Sequence, residues 1–181
     1  MRNKIAVISG IIVLLLVNWS IYGKERHLKE GKIVYLQLAP VDPRSLMQGD
    51  YMILRFALEN EVYKQLPTKN GKHGWRRNNI IARDGRIVVS LDKNAVASFK
   101  RLDDLTPLAE NEILMRYRVR NNTLKFATNA FFFQEGHAKL YQNARYGRFR
   151  VDANGELLLT SMYDNKLKKL EPPVTQAKAG S

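Results

Sequence analysis

The chain has 181 residues, room for one domain and an appendage. Its 30 Lys and Arg against 17 Asp and Glu leave a net charge of +13, which points to an acidic partner or an anionic surface. Cysteine is absent, and this excludes disulfides, thiolate metal sites and cysteine nucleophiles.

The first element is "IAVISGIIVLLLVNWSIY", Ile5 to Tyr22, 18 residues without a charge. At 1.5 Å rise per residue a helix of this length covers about 27 Å, close to a hydrocarbon core, with Trp19 and Tyr22 at the interfacial belt. The stretch is longer than the apolar part of a cleaved leader, and Ile21-Tyr22-Gly23 is a poor cleavage site, so it reads as an uncleaved anchor. Arg2 and Lys4 before the span compete with Lys24, Arg26, Lys29 and Lys32 after it under the positive-inside rule. The signal-like layout places the following domain outside the cytoplasm.

Residues 24–31 form a linker, after which "KIVYLQLA" alternates as a strand. "YMILRFAL" is a second strand, with Met52, Leu54 and Phe56 on one face and Tyr51, Ile53 and Arg55 on the other. "ENEVYKQL" suits a short helix, and "PTKNGKHGWRRNN" is a polar loop. Asp84-Gly85 between two apolar runs predicts a hairpin turn, and "KNAVASFKRLDDL" has a helical pattern. "EILMRYRVRNNTLKFAT" predicts a hairpin at Asn121-Asn122, which sets Val119 opposite Leu124 and Arg118 opposite Lys125, with Arg116, Arg118 and Arg120 on one exposed face. Three phenylalanines and a short helix from about Gln134 come next, then a hairpin around Asn154-Gly155 with Phe149 and Val151 inward and Arg148 and Arg150 outward. The expected class is therefore mainly β, a sandwich or partly open barrel with two or three short helices, preceded by one N-terminal transmembrane helix. Its divisions are 1–23 (anchor), 24–31 (linker), 32–164 (β-rich domain) and 165–181 (basic tail, expected to be disordered).

Conventional chemistry finds little support. The three histidines, His27, His73 and His137, stand far apart, and no P-loop or nucleophile elbow is present, so no metal and no cofactor is expected. "VDPRSLMQGDY" resembles the end of a signal peptidase motif, but Val41 stands where the serine nucleophile belongs. Ser45 could act only in another geometry with a lysine base, and a hydrolase of this kind is the alternative reading. The same residues serve a turn: Pro43 fixes φ, Gly49 allows unusual backbone, and Arg44 can pair with Asp50. The basic strand faces suit solvent, anionic headgroups or an acidic protein loop. Nucleic acid is not expected, because aromatic and basic residues are not interleaved as in single-strand binders.

"GDYMILRF" resembles the signature of the bacterial GDYXXLXY proteins: Gly49, Asp50, Tyr51 and Leu54 match, and Phe56 replaces the final tyrosine. "FFFQEGHAKLYQNARYGRFRVDANGELLL" is similar to the family's later block, with Phe-Gln-Glu-Gly and Ala-x-Tyr-Gly elements. The resemblance implies a membrane-anchored domain of unknown function encoded beside, or fused to, polytopic membrane proteins; it implies no catalytic residues. The expected protein is a non-enzymatic accessory or interaction module, single-pass in a bacterial inner membrane through Ile5 to Tyr22, with a periplasmic domain. Its expected partners are a polytopic membrane protein and anionic lipid. The candidate interaction residues are Arg44, Gly49, Asp50, Tyr51, Leu54, Arg55, Gln134, Glu135 and His137.

Overall fold

The structure, a computed structural model, describes residues 2–39, 47–48, 51–68 and 80–172. Helix α1 (Arg2–Glu30) leads into β1 (Lys32–Gln37), β2 (Met47–Gln48), β3 (Tyr51–Ile53) and α2 (Glu59–Gln65). Then come β4 (Arg83–Leu91), β5 (Ala97–Leu102), β6 (Glu112–Arg120), β7 (Thr123–Lys125) and β8 (Ala130–Phe132). The remaining elements are α3 (Ala138–Tyr141), β9 (Tyr146–Val151) and β10 (Leu157–Tyr163). The strands pair in the orders β1-β9-β10, β2-β3-β8 and β5-β4-β6-β7, every ladder antiparallel. Bridges at Tyr35 with Val96 and at Leu38 with Phe56 stitch the three groups into a curled half-barrel, so the expected mainly β class is the class observed.

α1 is long and apolar enough to span a membrane. Every described side chain from Val7 to Tyr22 is exposed, so the domain offers this helix no apolar cover. Residues 24–30, read as a linker, are its last two turns.

The core follows from alternation. In β1, Val34 and Leu36 are fully buried while Ile33 and Tyr35 lie on the opposite face, and Phe149 and Val151 in β9 face inward as the pattern required. Phe56 fills the centre, edge-on to Phe126 at 6.1 Å and to Phe149 at 5.6 Å between ring centroids. Such edge-to-face pairs add attraction beyond simple burial. α2 forms where "ENEVYKQL" predicted it and buries Val62 and Tyr63. The Glu59 carboxylate turns back to accept the Phe56 amide at 2.8 Å, and the Tyr63 hydroxyl accepts the Leu124 amide at 2.6 Å.

Two expectations fail for physical reasons. Asp84-Gly85 is not a turn: β4 runs straight through it, with Gly85 opposite Tyr117 in β6. A Cβ at Gly85 would meet the Tyr117 ring at 2.6 to 2.9 Å, so this glycine makes room for a buried aromatic rather than bending the chain. "KNAVASFKRLDDL" is not a helix either, since Ala97–Leu102 is β5, paired with β4. The true β4–β5 turn starts at Asp92, whose carboxylate accepts the amides of Asn94 and Val96, each at 2.8 Å. The Asn121-Asn122 turn is as expected, both residues having positive φ, with Val119 opposite Leu124 and Arg118 opposite Lys125.

The Asp92 device recurs. Asp152 and Asp164 likewise accept the amides two and four residues on, and each loop returns the i+3 amide to the Asp carbonyl. In all three the i+3 residue has positive φ: Ala95 at 60°, Gly155 at 81° and Leu167 at 56°. This is a type I turn closed by a left-handed residue, the common longer hairpin loop. The third copy sends the chain back along β10, with Lys169 bridged to Tyr163 and the Leu170 amide bonded to the Met162 carbonyl at 2.9 Å. The stretch expected to be disordered from residue 165 is therefore folded to 172, and residues 173–181 lie outside the described residues.

The amides of Lys168 and Lys166 hold the Asp164 carboxyl below its ordinary value of 3.8. A depressed carboxylate contributes stability above its unfolded value and loses it as pH falls through the folded one. Hydrogen exchange should therefore show the Lys168 amide protected at pH 6 and released only once pH has fallen below the ordinary carboxylate value, ahead of the β9–β10 ladder amides.

Candidate functional site

The pairing of β3 with β8 brings together the two sequence blocks that had been singled out separately. Tyr51 lies opposite Phe132, Met52 opposite Phe131 and Ile53 opposite Ala130. Side chains alternate across the sheet, so Met52 turns inward at 1% exposure while Tyr51 and Phe132 share the outer face. Their ring centroids are 5.7 Å apart, and Phe132 is 74% exposed. Phe131 and Phe133 instead pack around Tyr141 of α3, at 5.0 and 5.2 Å, so one of the three consecutive phenylalanines is left for solvent.

Two residues back from Phe132, on the same face of β8, Ala130 lines a groove of about 520 Å³ together with Arg118, Arg120, Lys125, Thr128 and Asn129. The arginines of β6 are not equivalent. Arg116 is ion-paired with Glu156 and Asp84, and Arg120 reaches Asp84 at 2.7 Å. Arg118 and Lys125 stand opposite each other across the β6–β7 ladder, and among the described residues neither side chain has a hydrogen bond or ion pair. Like charges directly opposite cost stability, so an anion placed between them would be favoured. Asn129 Oδ1 is buried and has no hydrogen-bond partner among the described residues.

The proposed site residues divide accordingly. Tyr51 sits at the centre of this face; Leu54 is fully buried, its amide bonded to the Asn129 carbonyl at 2.7 Å, and so belongs to the core. Arg55 is exposed beyond β3, its carbonyl accepting the Ala39 amide at 2.8 Å. Gln134 and Glu135 are exposed in a turn closed by the His137 amide on the Gln134 carbonyl at 3.1 Å. Gly136, at φ 83°, supplies the left-handed conformation there, which gives "QEGH" a backbone role. His137 is half-buried, with Nδ1 buried and unpartnered among the described residues. Arg44, Gly49 and Asp50 lie outside the described residues, as do Val41 and Ser45 of the hydrolase reading. Sequence reasoning did not single out Phe132 or Asn129. The only available signal was strand alternation in "NAFFF", which sets Ala130 and Phe132 apart from Phe131.

Among the described residues no three His, Cys, Asp or Glu side chains gather to hold a metal ion. The face joins the Tyr51–Phe132 ring pair, with Phe132 exposed, to Arg118 and Lys125, whose side chains are unpaired among the described residues. Comparison with known proteins agrees on family and is silent on activity. A family model described as GDYXXLXY protein matches residues 13–162. No curated protein matches the chain, and no solved structure matches it.

Proposed function

Because the chain belongs to the GDYXXLXY family, we propose that it is a non-enzymatic accessory module, held in the bacterial inner membrane by α1, whose β3–β8 face docks on a polytopic membrane protein. The domain lies on the periplasmic side in this reading, as the order of a short basic start and a first apolar segment favours. The observation that carries the proposal is the Tyr51–Phe132 ring pair, with Phe132 exposed, beside Arg118 and Lys125, whose side chains are unpaired among the described residues. Exposed aromatics next to Arg are the composition of interface hot spots, and the cations favour an acidic loop on the partner.

The test is co-purification from detergent after crosslinking of native membranes. A Tyr51→Ala/Phe132→Ala variant is expected to lose about 30-fold or more in partner recovery, since each buried aromatic anchor contributes on the order of 2 kcal/mol. Phe132 is exposed on the outer face, so the single variant Phe132→Ala should keep a melting temperature within a few degrees of the parent. Arg118→Glu should weaken capture more at low salt than at high salt. Recovery of the domain alone from crosslinked membranes, unchanged in the double variant, would count against the proposal.

A further inference from the structure

α1 does not stop at the end of its apolar stretch but continues as helix to Glu30 and is fastened to the domain there. His27 Nε2–H donates to the Arg150 carbonyl at 2.9 Å, and Arg150 Nη1 donates to the Gly31 carbonyl at 2.9 Å. Beside this junction opens a cleft of about 410 Å³, lined by Gly23, Arg26 and Lys32 and by the apolar Leu108, Leu114 and Val151. At 1.5 Å rise per residue, Gly23 and Arg26 stand about 2 and 6 Å past Tyr22. That is within a headgroup layer roughly 5 to 7 Å deep on each side of the bilayer.

The cleft lining carries Arg26 and Lys32 with the carboxylates of Glu30, Glu112 and Asp152, each of which has a partner of its own. The Glu112 carboxylate is turned to Arg101 at 3.6 Å and to the Ala109 amide at 3.2 Å. Asp152 is occupied by the amides of Asn154 and Glu156 at 2.9 and 2.8 Å. Glu30 approaches Arg26 only at 3.9 Å, between side chains 63% and 73% exposed, a pair that water largely screens. The Lys32 side chain is exposed and has no hydrogen bond or ion pair among the described residues. Arg26 at headgroup depth and Lys32 beyond it therefore share the cleft with an apolar wall of Leu108, Leu114 and Val151. The loop behind that wall also carries Leu105, 81% exposed, which suits acyl chains better than water.

We propose that this cleft holds the phosphate headgroup of one anionic phospholipid from the leaflet that α1 leaves. Arg26 and Lys32 take the phosphate, and Leu108, Leu114 and Val151 lie against the glycerol and first acyl carbons. The proposal shares with the functional reading only the placement of α1 in the bilayer. A lipid seated there fixes the tilt of the domain over the membrane, independently of any protein partner.

The test uses the full chain in nanodiscs containing photoreactive phosphatidylglycerol, with the reactive group on the first acyl carbons. Crosslinks to the apolar stretch of α1 report anchoring alone; crosslinks to peptides carrying Leu105, Leu108 and Leu114 report the cleft. In Arg26→Gln/Lys32→Gln the cleft set should fall about tenfold or more relative to the α1 set, as expected for two headgroup cations at roughly 1 kcal/mol each. Arg118→Gln/Lys125→Gln should leave the ratio unchanged. An unchanged ratio in the first variant, or an equal fall in both, would overturn the proposal. Competition by soluble glycerol phosphate would also overturn it, by reassigning the site to a free phosphate ester. Absence of α1 crosslinks would remove the membrane placement itself.

Discussion

Phe56→Ala is expected to lower the unfolding free energy by about 3 to 5 kcal/mol, read as a fall in the denaturant midpoint with little change in slope. The ring is 1% exposed, and it touches Phe126 and Phe149 from two different parts of the half-barrel. Its backbone bridges Leu38 and its amide is held by Glu59, so the cavity lies where β1, β3 and α2 meet and cannot easily collapse. A loss of this size removes a large share of the roughly 5 to 15 kcal/mol that keeps a domain folded. Phe56→Leu, closer in volume, should cost much less, under about 2 kcal/mol. If Phe56→Ala left stability within about 1 kcal/mol of the parent, the packing role of the signature's last position would be wrong.

Gly31→Ala should uncouple the anchor from the domain. A Cβ there would lie 2.6 Å from the His27 carbonyl oxygen and 3.1 Å from Arg150 Cβ. The first of these is backbone in the last turn of α1, which cannot yield without breaking the Gly31 amide bond to His27 at 3.0 Å. The overpacking costs about 1 to 3 kcal/mol, and the His27 and Arg150 bonds across the junction loosen with it. Trypsin cleavage after Arg26, Lys29 or Lys32 should accelerate about tenfold or more, while cleavage within β4 and β6 stays slow. Equal rates for parent and variant would mean that the junction is already open.

Legibility in the sequence followed the range of the physics involved. Alternation in β1, β3 and β9 was readable because one face of each is buried, and the Asn-Asn turn was readable because both residues tolerate positive φ. Asp84-Gly85 misled because the reason for its glycine, the Tyr117 ring, comes from another strand far along the chain. The Asp92 turn was hidden inside a helical pattern, since a carboxylate capping two amides leaves no mark on hydrophobic period. At the candidate site Tyr51 was legible as a motif letter that the core does not need. Its partner was not, because three-residue strands such as β3 and β8 carry too little pattern to declare their pairing. The unequal state of Arg116, Arg118 and Arg120 depends on where Asp84 and Glu156 fall in space, which side-chain spacing alone does not reveal.

Docking of the β3–β8 face on an integral membrane protein can be read in native membranes. It is tested most directly by placing p-benzoylphenylalanine at position 132 of the full chain and irradiating native membranes, with the same substitution at exposed Lys100 in β5 as reference. A discrete adduct with an integral membrane protein is expected from position 132, absent from position 100 and lost when Tyr51→Ala is added. Adducts with lipid alone, or equal adducts from both positions, would contradict it.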